Sequence, residues 1–269
     1  MINTMPEFNM IDKTYIDNKV FKRMTECSEF YYLLSFSVFG FLTPGVMVSM
    51  NIDSYIFSSM QGTVDSMHEI LLKGRVNDAY ALLRKYHDSI IINIYTILYA
   101  KDSLEKENFL VTRINNWVKG KEQLPEYRIM SNYIRDQKDV SPINELLYGD
   151  DTYTKLRDRC NDNAHYNFYH NVLLNDKDIY NENRISELNK FSQDLDNLFI
   201  LHISYLFYIN NHYMTSSDYA DSMDMGIEPK EGCQYNVAPF IQKLFDEVLN
   251  KQRPDIAKLI KDSTSMRLE

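Results

Sequence analysis

The chain has 269 residues, 44% hydrophobic and 25% charged, which suits one large folded domain or two smaller ones. Its 8 Gly and 7 Pro are too few for an all-β protein built on many tight turns. The formal net charge of −9 excludes a general nucleic-acid coat, whose phosphate binding rests on lysine and arginine, but not a nuclease that gathers its basic groups in one cleft. Cys27, Cys160 and Cys233 are far apart and odd in number, which implies a reducing compartment and no disulfide framework. The start, MINTMPEFNMIDK, lacks the apolar run of a signal peptide, so the chain reads as cytoplasmic.

Residues 1–29 are mostly polar and read as an N-terminal arm. Residues 30–50, FYYLLSFSVFGFLTPGVMVSM, are 21 residues without a charge, long enough to span a bilayer. Ser35, Ser37, Gly40 and Pro44 dilute and break that run, which favours two buried or interface pieces around a turn at Thr43-Pro44-Gly45 over membrane contact. Residues 52–73 read as a helix, with Ile52, Ile56, Met60, Val64, Met67, Ile70 and Leu71 at helical spacing and Gly74 as the stop. A second helix starts at Asn77 or Asp78 and carries a wide apolar stripe through residues 79–100, so the two make a long αα-hairpin. Residues 104–118 read as a shorter helix ending at Gly120, with Trp117 as a packing anchor. Pro125 opens another, and Ser141-Pro142 resembles a helix start with Ser at N-cap and Pro at N1. Asp150, Asp151 or Thr152 caps the next segment. Residues 175–183 form a polar connection, 185–213 a long helix, 214–236 a loop, and 237–250 and 255–262 final helices divided by Pro254. No run of alternating strands is convincing, so the fold expected is all-α: an irregular bundle over residues 30–213 built around the αα-hairpin, with 237–269 packing on it.

One stretch carries chemistry. Residues 157–171 read RDRCNDNAHYNFYHN, and Arg159 and His165 stand six positions apart. This resembles the R-x(4–6)-H signature of the HEPN superfamily, a group of all-helical domains. Members often carry Asn, Asp or His directly after the arginine; here Cys160 stands there and Asn161 follows. The layout of hairpin and late polar motif, over residues 60–210, also resembles bacterial helical proteins associated with phage-defence loci. The resemblance implies RNA cleavage without a metal or other cofactor, by a dimer whose motif helices face each other. Arg159, His165 and Asn161 then form the catalytic group, with Lys155, Arg157 and His170 binding RNA. The partners implied are RNA and a second copy or a partner subunit. The chemistry is coherent: RNA carries its own 2′-OH nucleophile, an imidazole exchanges protons near neutral pH, and a guanidinium meets charge building on the phosphate. Asn161 shares a helix face with His165, four residues on. Arg159 and His165 do not share a stripe, because six positions turn about 600° and leave about 120° between them.

The bland alternative is a solvated helix face or turn, with His165 a core histidine bonded to a carbonyl and the chain a helical interaction or sensor module. Four asparagines in one short segment favour some special role, since Asn is a poor interior helix residue. Cys160, His165 and His170 fan out by about 140° per step and do not converge as zinc ligands. Asp218, Asp221 and Asp224 lack the calcium-loop order and read as solvated acids. His202 lies on an apolar face and reads as a satisfied core histidine, while His68 and His87 fall in the hairpin helices as surface or core residues. Arg84 and Lys85 line a basic cleft if they face the motif and are a solvated face otherwise.

Overall fold

The computed structural model describes residues 11–176, 181–228 and 237–268, with the side chains of Ser217, Asp218 and Ala220 outside the description. Among them the chain is all helical and no strand occurs. In chain order the helices are α1 Lys13–Ile16, α2 Lys19–Ser37, α3 Ile52–Leu72, α4 Val76–Ser103, α5 Thr112–Val118, α6 Tyr127–Asp136 and α7 Ser141–Leu147. There follow α8 Thr152–Ala164, α9 Tyr169–Leu173, α10 Arg184–Ile209, α11 Ser217–Asp224, α12 Pro239–Leu244, α13 Asn250–Gln252 and α14 Pro254–Ser263. The chain divides into two compact units: Met1–Tyr31 with Ser59–Asp88 and Asp151–Leu198, and Tyr32–Ser58 with Ser89–Asp150 and Phe199–Glu269.

The first unit is built from apolar stripes at helical spacing. Met60, Val64, Met67 and Leu71 of α3, Tyr80 and Leu83 of α4, and Leu188, Phe191 and Leu195 of α10 are fully buried. The α3–α4 connection is short because α3 ends in a Schellman turn. The Arg75 amide donates to the Ile70 carbonyl (3.2 Å) and the Gly74 amide to Leu71 (2.8 Å), with Gly74 at φ 75°. Arg184, buried at the start of α10, donates to the Gly74 carbonyl (3.0 Å).

The N-terminal segment is not the arm its polarity suggested. Residues 13–16 and 19–37 are helical, and Val20, Met24, Cys27 and Tyr31 are buried at spacings of four, three and four. Lysine, glutamate and serine between them hide the stripe from a composition reading. The Tyr15 hydroxyl fastens the start by donating to the Leu71 carbonyl (2.7 Å). The first ten residues of the expected arm lie outside the described ones.

The second unit holds α5 to α7 and α11 to α14. Asn144 of α7 donates its amide to the Ile134 (3.0 Å) and Arg135 (3.2 Å) carbonyls at the end of α6, while its own oxygen accepts from the Tyr205 hydroxyl. Ser141-Pro142 opens α7, as its sequence indicated, one position further into the helix. Two expectations change. Residues 104–111 are not helical, because Asn108 (φ 52°) and Phe109 (φ 64°) both sit in the left-handed region, which an α-helix does not accommodate. Residues 38–51 turn at Pro44-Gly45 (Gly45 φ 73°), as expected, but burial does not continue through them: Leu34 and Val38 are buried, whereas Phe39, Leu42 and Met47 are exposed. No helix among the described residues is long and apolar enough to cross a membrane. The expected loop at 214–236 contains α11; residues 229–236, Cys233 included, lie outside the described ones. So does 177–180 of the expected polar connection.

Candidate functional site

The motif helix α8 presents two faces with different partners. Arg159 lies on the face toward α10. Its Nε donates to Asp194 Oδ2 (2.9 Å) and its Nη2 to Asp194 Oδ1, a bidentate pair on a carboxylate whose side chain is only 2% exposed. Burial raises the Asp194 pKa despite the guanidinium, and the Asp194 hydrogen bond raises that of Arg159. The surrounding groove, about 570 Å³, is lined by Lys155, Lys190 and Asn197 among others. Lys155 pairs with Asp151 (2.9 Å) on an exposed helix turn.

The other face carries Arg157, Asn161 and His165, spaced by four, and it meets α4. Arg157 Nη1 donates to Asp88 Oδ1 (2.7 Å), and Arg84 Nη1 lies 3.4 Å from His165 Nε2. An arginine can only donate, so Nε2 accepts and the ring proton rests on Nδ1 in this contact. Asp88 and Arg84 are one turn apart on α4, and Arg157 and His165 two turns apart on α8, so the pairs form rungs between two helices. Among the described residues Arg84 has no carboxylate partner. Arg159, Arg157 and Arg84 all pull the Cys160 thiol down, but burial and Asp194 outweigh them and push it up to about 12.

The structure therefore does not bring Arg159 and His165 together as a pair; each has a separate partner, as the 120° between them requires. His165 is exposed, not a core histidine, and caps the end of α8. Asn161 is half-buried, and among the described residues its side-chain oxygen accepts no hydrogen bond. His170 is exposed in α9 with its ring stacked on Phe168, centroids 5.7 Å apart and planes 18° apart. Cys160 is buried while both histidines are exposed, and among the described residues no group of three or more His, Cys, Asp or Glu side chains gathers to hold a metal ion.

The asparagines of the segment have structural work. Asn163 is buried, donates to the Arg159 carbonyl (2.9 Å), and accepts from Asn77 on both its side-chain oxygen (3.1 Å) and its carbonyl (2.8 Å). Asn171 and Asn167 donate to the carbonyl (3.0 Å) and carboxylate (2.8 Å) of Asp162. They close the end of α8, where Tyr166 takes the left-handed position (φ 51°) usually held by glycine. That turn leaves Tyr166, Phe168 and Tyr169 exposed, the last at 76%. Sequence reasoning missed Asp194 and these three aromatics. The aromatics were visible in the run YNFYH, but Asp194 carried no local signal. Comparison of the chain with protein-family models, curated proteins and solved structures finds no match.

Proposed function

We propose that the chain binds single-stranded RNA on the surface around His165 and cleaves it in the metal-independent manner of HEPN domains, with Arg84 in the role expected of Arg159. The observation that carries this reading is an exposed imidazole whose Nε2 lies 3.4 Å from a guanidinium without a carboxylate partner among the described residues. As RNA binds, Arg84 turns from His165 to the phosphate and frees Nε2, which takes the 2′-OH proton; the 2′-oxygen attacks the adjacent phosphorus, and the bond to the 5′-oxygen breaks. Arg84 holds the phosphate oxygens as charge builds on them, and His170 returns a proton to the leaving 5′-oxygen. The products are a 2′,3′-cyclic phosphate and a 5′-hydroxyl. Tyr166, Phe168 and Tyr169 offer π-faces for bases, which is how strands are held without sequence readout. A second copy of the chain brings a second such surface, and a role in defence or toxicity follows from cleavage of cellular RNA.

The test is cleavage of an end-labelled single-stranded RNA in EDTA by wild type, His165→Ala and Arg84→Ala. Loss of about a hundredfold or more in His165→Ala, and of tenfold or more in Arg84→Ala, is expected, in the range for removing a general base or a charge stabiliser. Equal rates in wild type and His165→Ala would overturn the proposal. A second reading is favoured by the bidentate Arg159–Asp194 pair, which commits the motif arginine to structure. On that reading the same surface binds RNA or a protein partner without cutting, and binding by filter retention survives where cleavage is absent.

A further inference from the structure

The second unit contains a buried polar network that the RNA reading does not use. Asp53, at the start of α3, is 5% exposed. Its Oδ1 accepts from Asn93 Nδ2 (2.9 Å) and its Oδ2 from the Tyr213 hydroxyl (3.1 Å). Each of those donors is itself fixed. Asn51 Nδ2 donates to the Tyr213 oxygen (2.6 Å), which leaves the tyrosine proton for Asp53. His202 Nε2 lies 2.9 Å from the Asn93 oxygen, an acceptor, so the imidazole donates there. Every one of these side-chain bonds thus runs toward the Asp53 carboxyl group, while its backbone N–H donates to Asn51 Oδ1 (2.8 Å), an arrangement that suits a carboxylate. The N-terminus of a long helix favours the same charge. Yet among the described residues no lysine, arginine or histidine pairs with it.

Asp53 also lines a cavity of about 730 Å³. Ile97, Ile114 and Ile209 give it apolar walls, and the rings of Phe41 and Tyr213, centroids 5.3 Å apart, stand at one side. Each carboxylate oxygen has room for one more donor. A buried acceptor with two donors and no counter-charge, at the edge of an apolar and aromatic chamber, has the chemistry of ammonium recognition. Of the other charged lining residues, Lys101, Glu105 and Lys106 are exposed and Asp102 is half-buried, so among the described residues Asp53 is the one buried charge at the cavity, and it repels an anion.

We propose that this cavity binds an organic ammonium compound with an apolar body, with Asp53 as the counter-ion. The site is independent of the RNA surface and stands or falls without it. The experiment is titration calorimetry on the full chain at pH 8 with phenethylamine and cyclohexylmethylamine, each against its alcohol counterpart. Wild type is expected to bind the amines at least about tenfold tighter than the alcohols, and Asp53→Asn to lose that preference. A pH series on wild type keeps the test open if that variant does not fold. Burial pushes Asp53 up to about 7, so its ionised fraction, and with it amine affinity, rises about tenfold from pH 6 to pH 8. His202 and His212 have lowered pKa values and Tyr213 a raised one. The remaining charged groups at the cavity are Lys101, Asp102, Glu105 and Lys106. The proposal is overturned if amine and alcohol bind alike, if neither amine binds, if Asp53→Asn keeps the preference, or if affinity does not change with pH.

Discussion

Arg159 holds a carboxylate that has almost no contact with water. Removing the guanidinium leaves Asp194 buried without its two charged donors, so Arg159→Ala should lower unfolding free energy by roughly 2–3 kcal/mol. That is below the range for a fully buried pair, because the arginine keeps some solvent contact. Asp194→Asn in the same chain should recover most of the loss, and urea titration of the two single variants and the double variant measures it. Independent, additive losses in the double variant would contradict the pairing. An RNA assay on Arg159→Ala alone therefore confounds folding with chemistry, which is why Arg84 and His165 are the informative positions. The motif residues were legible in the sequence, and so was the 120° that separates them. Their partners were not, since a spacing within α8 carries no information about which helix lies against each face.

The end of α8 shows what an element can hold against local preference. Tyr166 occupies a left-handed backbone position that L-residues adopt at about 1–2 kcal/mol, and Asn163, Asn167 and Asn171 secure the turn around it. Tyr166→Gly should relieve that strain and stabilise the chain by about 0.5–1 kcal/mol, after allowance for the greater freedom of glycine when unfolded. The same variant should weaken single-stranded RNA binding five- to hundredfold, because one stacking ring is gone. Thermal melts and fluorescence anisotropy read the two effects, and a variant that is both less stable and equally tight would oppose both halves. The cluster of asparagines that invited a functional explanation is accounted for largely by this cap. Helices with long apolar stripes, α3, α4 and α10, were legible because three- and four-residue spacing dominates them. The break at 38–51 was legible through Gly40 and Pro44, whereas the one at 104–111 was not, because it depends on the backbone angles of Asn108 and Phe109, which no periodicity marks.

Across the whole molecule, two buried groups with opposite shifts shape the response to pH. Burial lowers His202 to about 3, so its contribution to stability is fully present above its unfolded value of about 6.5 and is lost as pH falls toward 3. Burial raises Asp53 to about 7, so its contribution is fully present below its unfolded value near 3.9 and is lost as pH rises through 7. Between about pH 4 and 6.5 the slopes oppose each other, each roughly 1.4 kcal/mol per pH unit. Asp53→Asn removes one of them, so its stability relative to wild type should climb by about that slope across the window, as urea titrations at several pH values would show. A constant difference would contradict the assignment. The helical class itself follows from composition and pattern, few glycines and prolines with apolar residues at helical intervals, and needed no knowledge of these interior groups. The buried thiols of the first unit have a practical consequence. Cys27 and Cys160 are both sealed from solvent and both pushed up to about 12, so neither reacts with an alkylating reagent until its surroundings open. With Cys233 replaced by serine, the chain becomes its own clock. Mass spectrometry of alkylation at Cys27 and Cys160 times how often the α2 and α8 neighbourhoods come apart, and equal rates at the two sites would mark a single cooperative opening.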